Sequence, residues 1–405
     1  MPHVVLVAPF FSDVMRHCVR CFLDLQDTQV ALLTQEPLER VPEAWRQRLA
    51  ACERIGDPAD HRHIVAGAEA VCARLGRIDR LEGYLEMLQV PIAEARDALG
   101  VSGMRGEIAR NCRDKNRMKE VLRKAGVPVA RQALVHSADD ARAFVRQVGY
   151  PIVLKPLAGF GARNTQRVTD EASLAAALAA LQPSATHPAQ AEEFVQGEEH
   201  TFEAVVLGGQ VVWSSSTTYV PRPLQVLENA WMQYAVILPR AMHPEHVRAF
   251  APVNAQALQA LGVQHGLSHM EWFLREDGTA VVSEVGARPP GANIMPLLQA
   301  AHGADPWAAW AHLMVHGRWQ FPERRFAAGT VFLRAKGGGP VVRGVEGFAA
   351  MQQRLGPALV DAKLPQPGQP RSQHYEGDGF VLVRHAETQG VVQALRTVLE
   401  TVTIV

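Results

Sequence analysis

The chain has 405 residues, more than one compact unit usually holds, so several domains of roughly 100–200 residues are expected. Hydrophobic residues make up 47% and charged residues 20%, a balance that supports a large core without disulfide or metal staples. Lys plus Arg and Asp plus Glu both total 41, and zero net charge argues against a general binder of nucleic acid or of anionic membranes. The charge is not evenly spread. Residues 1–107 hold 12 basic and 16 acidic side chains, whereas 108–200 hold 13 and 10, and residues 110–131 alone hold eight basic against two acidic. A few such residues are enough for a local anion site.

Five cysteines in a chain of this length do not form a secreted disulfide framework. The opening MPHVVLVAPFF is apolar for too short a stretch to span a bilayer and lacks a basic leader or a small-residue cleavage site. A reduced, soluble, cytoplasmic protein is expected, with neither nucleic acid nor membrane as partner.

In chain order, residues 3–10 read as a strand ending at Pro9, 14–25 as a helix, and 30–33 as a second strand, the opening of a parallel α/β sheet. Residues 69–75 read as helix, and 77–84 and 91–99 as the irregular tail of this first unit. Residues 114–125 form a helix with Asp114 as N-cap and Gly126-Val-Pro128 as its stop. A buried strand follows at 152–154 and an Ala/Leu-rich helix at 171–181. Strands at 202–207 and 210–214 flank Gly208-Gly209, a hairpin signature. A helix at 246–261 closes at Gly262, and strands at 269–274 and 279–284 turn at Glu276-Asp277-Gly278. Beyond 328, short strands at 330–333 and 380–383, a Gly337-Gly338-Gly339 turn and a helix at 391–399 are expected, with 364–373 a Pro/Gln-rich loop.

Three constellations carry chemistry. Lys155 ends a buried strand, where an ammonium needs a partner, and Gly159 and Gly161 follow in a loop able to bring backbone N–H groups to phosphate oxygens. The GK[ST] ending of a Walker A loop is missing. Glu192-Glu193-Phe194-Val195-Gln196-Gly197-Glu198-Glu199 puts four carboxylates in eight residues. Glu271 and Glu284 lie on facing strands of one hairpin, four residues ahead of Arg288 in the second case, and two convergent carboxylates beside an arginine suit a hard cation carrying a polyphosphate.

Taken in this order, the motifs resemble the ATP-grasp superfamily, specifically its carboxylate–amine ligases of the amino-acid or dipeptide type. The resemblance covers residues 1–345. It implies an α/β protein: a Rossmann-like parallel domain over 1–107, an ATP-grasp domain over 108–325 with its small lobe at about 125–195, and an α+β C-terminal part over 326–405. It also implies ATP and Mg²⁺ (or Mn²⁺) as cofactors, small-molecule carboxylate and amine as partners, and a possible homodimer.

Carried over by position, the resemblance places Lys115 and Lys155 on the ATP phosphates, with Gly159 and Gly161 in the loop that folds over them. The backbone of Glu193 and Val195 reads adenine with Glu192 nearby, and Glu199 binds the ribose hydroxyls. Glu271 and Glu284 bind metal, and Arg288 steadies an acyl phosphate and the tetrahedral intermediate. Arg288, Gly291, Asn293 and His269 line the acceptor pocket, with Trp272 and Trp231 as possible walls. One position departs from the pattern: Gly286 stands where many members carry a metal-binding Asn, so either water or Asn293 fills the site or the second metal is held more weakly. A formate-using purine-synthesis transformylase and a non-catalytic nucleotide binder are the alternative functions.

Two features read as structural. Cys18 and Cys21 form a C-x-x-C one helical turn apart with no second pair or zinc-spaced histidines. Trp307 and Trp310 read as core, and His61 and His63 as solvated histidines.

Overall fold

The computed structural model describes residues 1–157, 165–229 and 231–405. His3–Val7, Gln29–Thr34, Ala51–Arg54 and Arg80–Glu82 form a parallel four-stranded sheet in the order third, second, first, fourth. Their near-continuous apolar runs match a sheet buried on both faces. On one side lies the helix Asp13–Leu23, capped by Ser12, with Met15, Cys18, Val19 and Phe22 turned inward. Phe22 meets Trp310 edge-on at 5.4 Å, and Trp307 and Trp310 are buried in the same core. Cys18 and Cys21 are buried free thiols, both pushed well up by burial.

The tail expected to be irregular is ordered. Arg80–Glu82 is the fourth parallel strand, and Gln89–Leu99 is a helix. Pro91 obscures that helix in the sequence, yet it sits in the first turn, where its missing N–H costs nothing.

Asp114 accepts hydrogen bonds from the Asn116 and Arg117 N–H groups and opens the helix Lys115–Lys124, which ends before the left-handed Gly126. A four-stranded antiparallel sheet follows, ordered Gln132–Val135, Ala189–Glu193, Ile152–Pro156, Gln166–Val168, with helices Ala138–Val148 and Glu171–Leu181 packed on it. The helix Ala138–Val148 escapes a reading for apolar periodicity because only Ala141 and Phe144 of its eleven residues are buried.

The large sheet has nine strands. Along it run Ala280–Gly286, His265–Leu274, Glu198–Leu207, Thr218–Val220, Tyr234–Leu238, Ala327–Leu333, Gly379–His385 and Leu359–Lys363, with Gln210–Ser215 paired to Glu198–Leu207 off this path. Gly208-Gly209 makes the expected hairpin turn, both residues at positive φ. The strands Ala327–Leu333 and Gly379–His385 continue this sheet rather than starting another.

The helix Pro244–Leu261 covers one face of the sheet. There Phe250 stacks on Trp272 with ring centroids 4.1 Å apart, and both are fully buried. Strand alternation explains this. Met270 and Trp272 point to the helix, while His269, Glu271 and Phe273 point the other way, into a cleft. Trp272 is therefore no pocket wall, contrary to the sequence expectation. Truncation to Ala should cost about 3–5 kcal/mol, read as a lowered urea midpoint; weakened nucleotide binding at unchanged stability would put Trp272 back in the pocket.

Candidate active site

The cleft has a volume of about 470 Å³. Its walls come from the antiparallel lobe, the large sheet, the turn Glu86–Leu88 after the parallel sheet, and Tyr375 near the C-terminus. Lys115, Lys155, Glu192, Glu193, Val195, Glu199, His269, Glu271, Glu284, Arg288 and Gly291 all line it. Residues separated by up to 176 positions in sequence thus share one surface.

Its floor is set by strand register. Glu271 and Glu284 are direct cross-strand partners in the antiparallel pair His265–Leu274 with Ala280–Gly286, so both carboxylates emerge on one face. Like charges placed opposite each other destabilise a sheet unless a cation meets them. Lys115 donates to Glu284 Oε1 at 2.7 Å. Burial opposes ionisation of Glu284, yet Lys115 outweighs it and holds the carboxyl below its ordinary range. Glu199 faces the same space from the neighbouring strand. Burial first, and the Glu271 charge second, push its carboxyl up to about 8. Three carboxylates face one space, and oxygen donors of this kind fit Mg²⁺ or Mn²⁺.

The lysines are held by a buried pair that includes a residue the motif reading does not reach. Glu192 Oε1 forms ion pairs with Lys155 Nζ at 2.8 Å and Lys119 Nζ at 2.5 Å, and Gln190 Nε2 donates to the same oxygen at 2.6 Å. Burial opposes its ionisation, but the two ammonium groups outweigh it and draw the Glu192 carboxyl down to about 2. Burial and the nearby Lys155 pull Lys119 down to about 8. Lys119 lies four residues after Lys115, so both project from one side of the helix Lys115–Lys124. That spacing was the available clue. Glu193, one residue on, faces outward: Arg131 Nε donates to it at 2.6 Å and Arg275 Nη2 at 3.2 Å, while its N–H donates to the Arg131 carbonyl.

Arg288 reaches across to the first unit. Its Nη2 donates to Glu86 Oε2 at 2.5 Å and its Nη1 to the Pro289 carbonyl at 2.8 Å. Its Nε is buried and has no hydrogen-bond partner among the described residues. Glu86 also meets Arg113 at 3.2 Å. Glu86 was invisible to the motif reading because it sits between the two stretches, 77–84 and 91–99, taken as irregular, in a segment given no role.

His269 is the middle of a buried chain. Its Nδ1 lies 2.9 Å from Glu203 Oε1 and its Nε2 3.8 Å from Glu271 Oε1. Burial disfavours the imidazolium, but the two carboxylates outweigh it and raise His269 to about 9. Glu203 is fully buried. Tyr219 donates to Glu271 at 3.4 Å.

Two expected contributors are placed elsewhere. Asn293 turns its amide to Thr330 Oγ1 at 3.3 Å and does not line the cleft; its left-handed backbone (φ 58°) directs the side chain to the large sheet. Trp231 is 70% exposed and away from the lining. Gly159 and Gly161 lie outside the described residues. His61 approaches Glu94 at 3.3 Å, and His63 Nδ1 lies 3.0 Å from the Asp57 carbonyl, neither at the cleft.

Residues 120–297 match the ATP-grasp domain family. The chain is 29% identical over 258 residues to the D-alanine–D-alanine ligase of Sodalis glossinidius, covering 60% of this chain and 66% of that protein. It is 25% identical over 245 residues to the alanine–anticapsin ligase of Bacillus subtilis, covering 54% and 50%. The chain thus spans between half and two thirds of the length of these two relatives. The crystal structure of an L-amino acid ligase from Bacillus licheniformis superimposes with a TM-score of 0.77 at 20% identity, over 100% of this chain and 98% of that one. The fold is therefore that of ATP-grasp proteins with a Rossmann-like α/β unit ahead of the grasp.

The Glu192 pair can be tested by itself. Glu192→Gln strands two buried ammonium groups and should cost about 3–5 kcal/mol in urea denaturation. The contribution of Glu192, whose carboxyl is depressed, should hold above about pH 4.5 and fade as pH falls towards 2. Adding Lys119→Met to Glu192→Gln should recover part of the loss. A single variant within about 1 kcal/mol of the parent would show that the pair does not organise the lysines.

Proposed function

With residues 120–297 as its ATP-grasp domain, we propose that the chain is an ATP-dependent carboxylate–amine ligase acting on amino acids. One observation carries the reading: Glu271 and Glu284 emerge side by side within a cleft that also holds Lys115, Lys155 and Arg288. The amino-acid component draws on the named activities of the relatives and on the Glu284–Arg288 spacing.

In this reading the adenine edge meets the Glu193 carbonyl and the Val195 N–H, and Glu199 accepts from the ribose hydroxyls. Lys115 and Lys155 neutralise the phosphates. Glu271 and Glu284 hold the divalent cation, which supplies charge neutralisation where phosphate oxygens crowd. A substrate carboxylate oxygen attacks the γ-phosphorus, the bond to the β-bridging oxygen breaks, and ADP leaves. The amine then attacks the acyl carbon, loses a proton and expels phosphate to give an amide. Arg288, whose buried Nε has no hydrogen-bond partner among the described residues, donates to the oxygen where negative charge develops. His269, held by Glu203, would orient the Glu271 carboxylate that would hold the cation.

Gly286 leaves room for a Cβ at the position of the missing ligand. A Cβ built there would meet Arg288 Cγ at 3.6 Å and the His269 carbonyl at 3.7 Å, ordinary contacts. Gly286→Asn should therefore fit and lower the half-saturating Mg²⁺ concentration of the reaction; an unchanged metal dependence would detach this position from the cation. Phosphate release measured across pairs of amino acids should be stimulated by at least one pair. Arg288→Ala and Glu284→Gln should each lower that turnover by about 10²–10³-fold while nucleotide binding stays within a few-fold. ATP binding with no stimulated release from any pair would favour a nucleotide-binding protein without ligase activity.

A further inference from the structure

The strand Glu198–Leu207 serves two faces, and only one belongs to the cleft. Glu199 points into the cleft, so its neighbours Glu198 and His200 project from the opposite face. The first turn of the helix Pro244–Leu261 lies there. Ligand atoms of Glu198, His200 and His246 all fall within 4.8 Å of one another. The His200 and His246 rings are 4.6 Å apart, and His243 stands 5.0 Å beyond His246.

His200 is 1% exposed. Its Nδ1 lies 3.0 Å from Thr218 Oγ1, whereas its Nε2 is buried and has no hydrogen-bond partner among the described residues. Glu198 Oε2 is only 3.3 Å from that nitrogen, without the alignment of a hydrogen bond. Thr218 Oγ1 can accept from Nδ1–H, and in that tautomer Nε2 presents a lone pair toward Glu198 and His246. Lone pairs of an imidazole and a carboxylate facing each other at this distance repel, and a cation between them reverses the interaction.

We propose that Glu198, His200 and His246 form a binding site for a zinc-class divalent transition metal on the back of the strand that carries Glu199. Two imidazoles and one carboxylate suit zinc, which binds three protein ligands and keeps a fourth position for water. The same set is a poor match for Mg²⁺, which prefers oxygen donors throughout. Thr218 is the outer partner of His200 Nδ1 and holds the orientation of the ring. His243 flanks the open position.

A second cluster, His17, Cys21 and Asp305, also gathers ligand atoms. Its members satisfy one another: His17 Nε2 lies 2.7 Å from Asp305 Oδ2, and the Cys21 thiol donates to the same oxygen at 3.5 Å. It leaves no inward lone pair to explain and serves as the control.

The test is calorimetric titration of the full chain, stripped with chelator, by Zn²⁺ under excess Mg²⁺ so that the cleft carboxylates do not compete. One zinc per chain is expected. His246→Ala and Glu198→Gln, both at less buried positions, should each weaken binding by more than about 100-fold, and Thr218→Val by about 10–100-fold. Circular dichroism of each variant verifies folding. Cobalt-substituted protein should absorb in the visible without a thiolate charge-transfer band. Equal affinity in both ligand variants, a thiolate band lost in Cys21→Ser, or no saturable binding at micromolar zinc would each overturn the proposal.

Discussion

The cleft depends on two carboxylates that strand register forces side by side. Glu271 and Glu284 cannot separate without breaking the pairing of His265–Leu274 with Ala280–Gly286, and an antiparallel pair carries its opposite side chains a few ångströms apart. That constraint demands positive charge nearby. Lys115 answers it from a helix, Lys155 from the antiparallel lobe and Arg288 from the segment after the hairpin. A chain with zero net charge can therefore hold a strongly charged site, because the opposing charges meet in one place instead of spreading over the surface.

The same demand ties the parts of the chain together. Arg288 is gripped by Glu86 from the turn that follows the parallel sheet, and Tyr375 from the C-terminal region closes another wall. Lys155 is anchored from below by Glu192, which also holds Lys119. A buried carboxylate flanked by two ammonium groups is a weak source of net stability, since desolvation offsets much of the attraction. Its effect is positional: it fixes where the Lys155 ammonium sits relative to the Glu271–Glu284 pair. The strand bearing Glu199 faces this cleft on one side and the His200 cluster on the other, so the large sheet is chemically active on both faces.

Local rules were legible in the sequence wherever one residue type has one structural use. Gly208-Gly209 marked its hairpin because two consecutive positive-φ residues are cheap only for glycine. Asp114 and Gly126 bracketed their helix through the cap and the left-handed stop. Glu171–Leu181 was evident from composition. Gln89–Leu99 was hidden by a proline that its first turn tolerates, and Ala138–Val148 by a buried face of only two residues. Trp272 was misplaced because the expectation weighed its adjacency to Glu271 in sequence over strand alternation, which turns the next residue to the opposite face and onto Phe250.

The sequence by itself determined which residue types could bind a nucleotide and its cation, and in what order, because those motifs are local: a lysine ending a strand, an acidic hinge, two glutamates on one hairpin. Only the tertiary structure decided what each charge meets. Lys119 joining Lys155 on Glu192, Glu86 holding Arg288, and Glu203 backing His269 all link residues far apart in the chain. No local pattern encodes such partners. Burial does, since an ionised group removed from water must find its counter-charge wherever the fold brings one within reach.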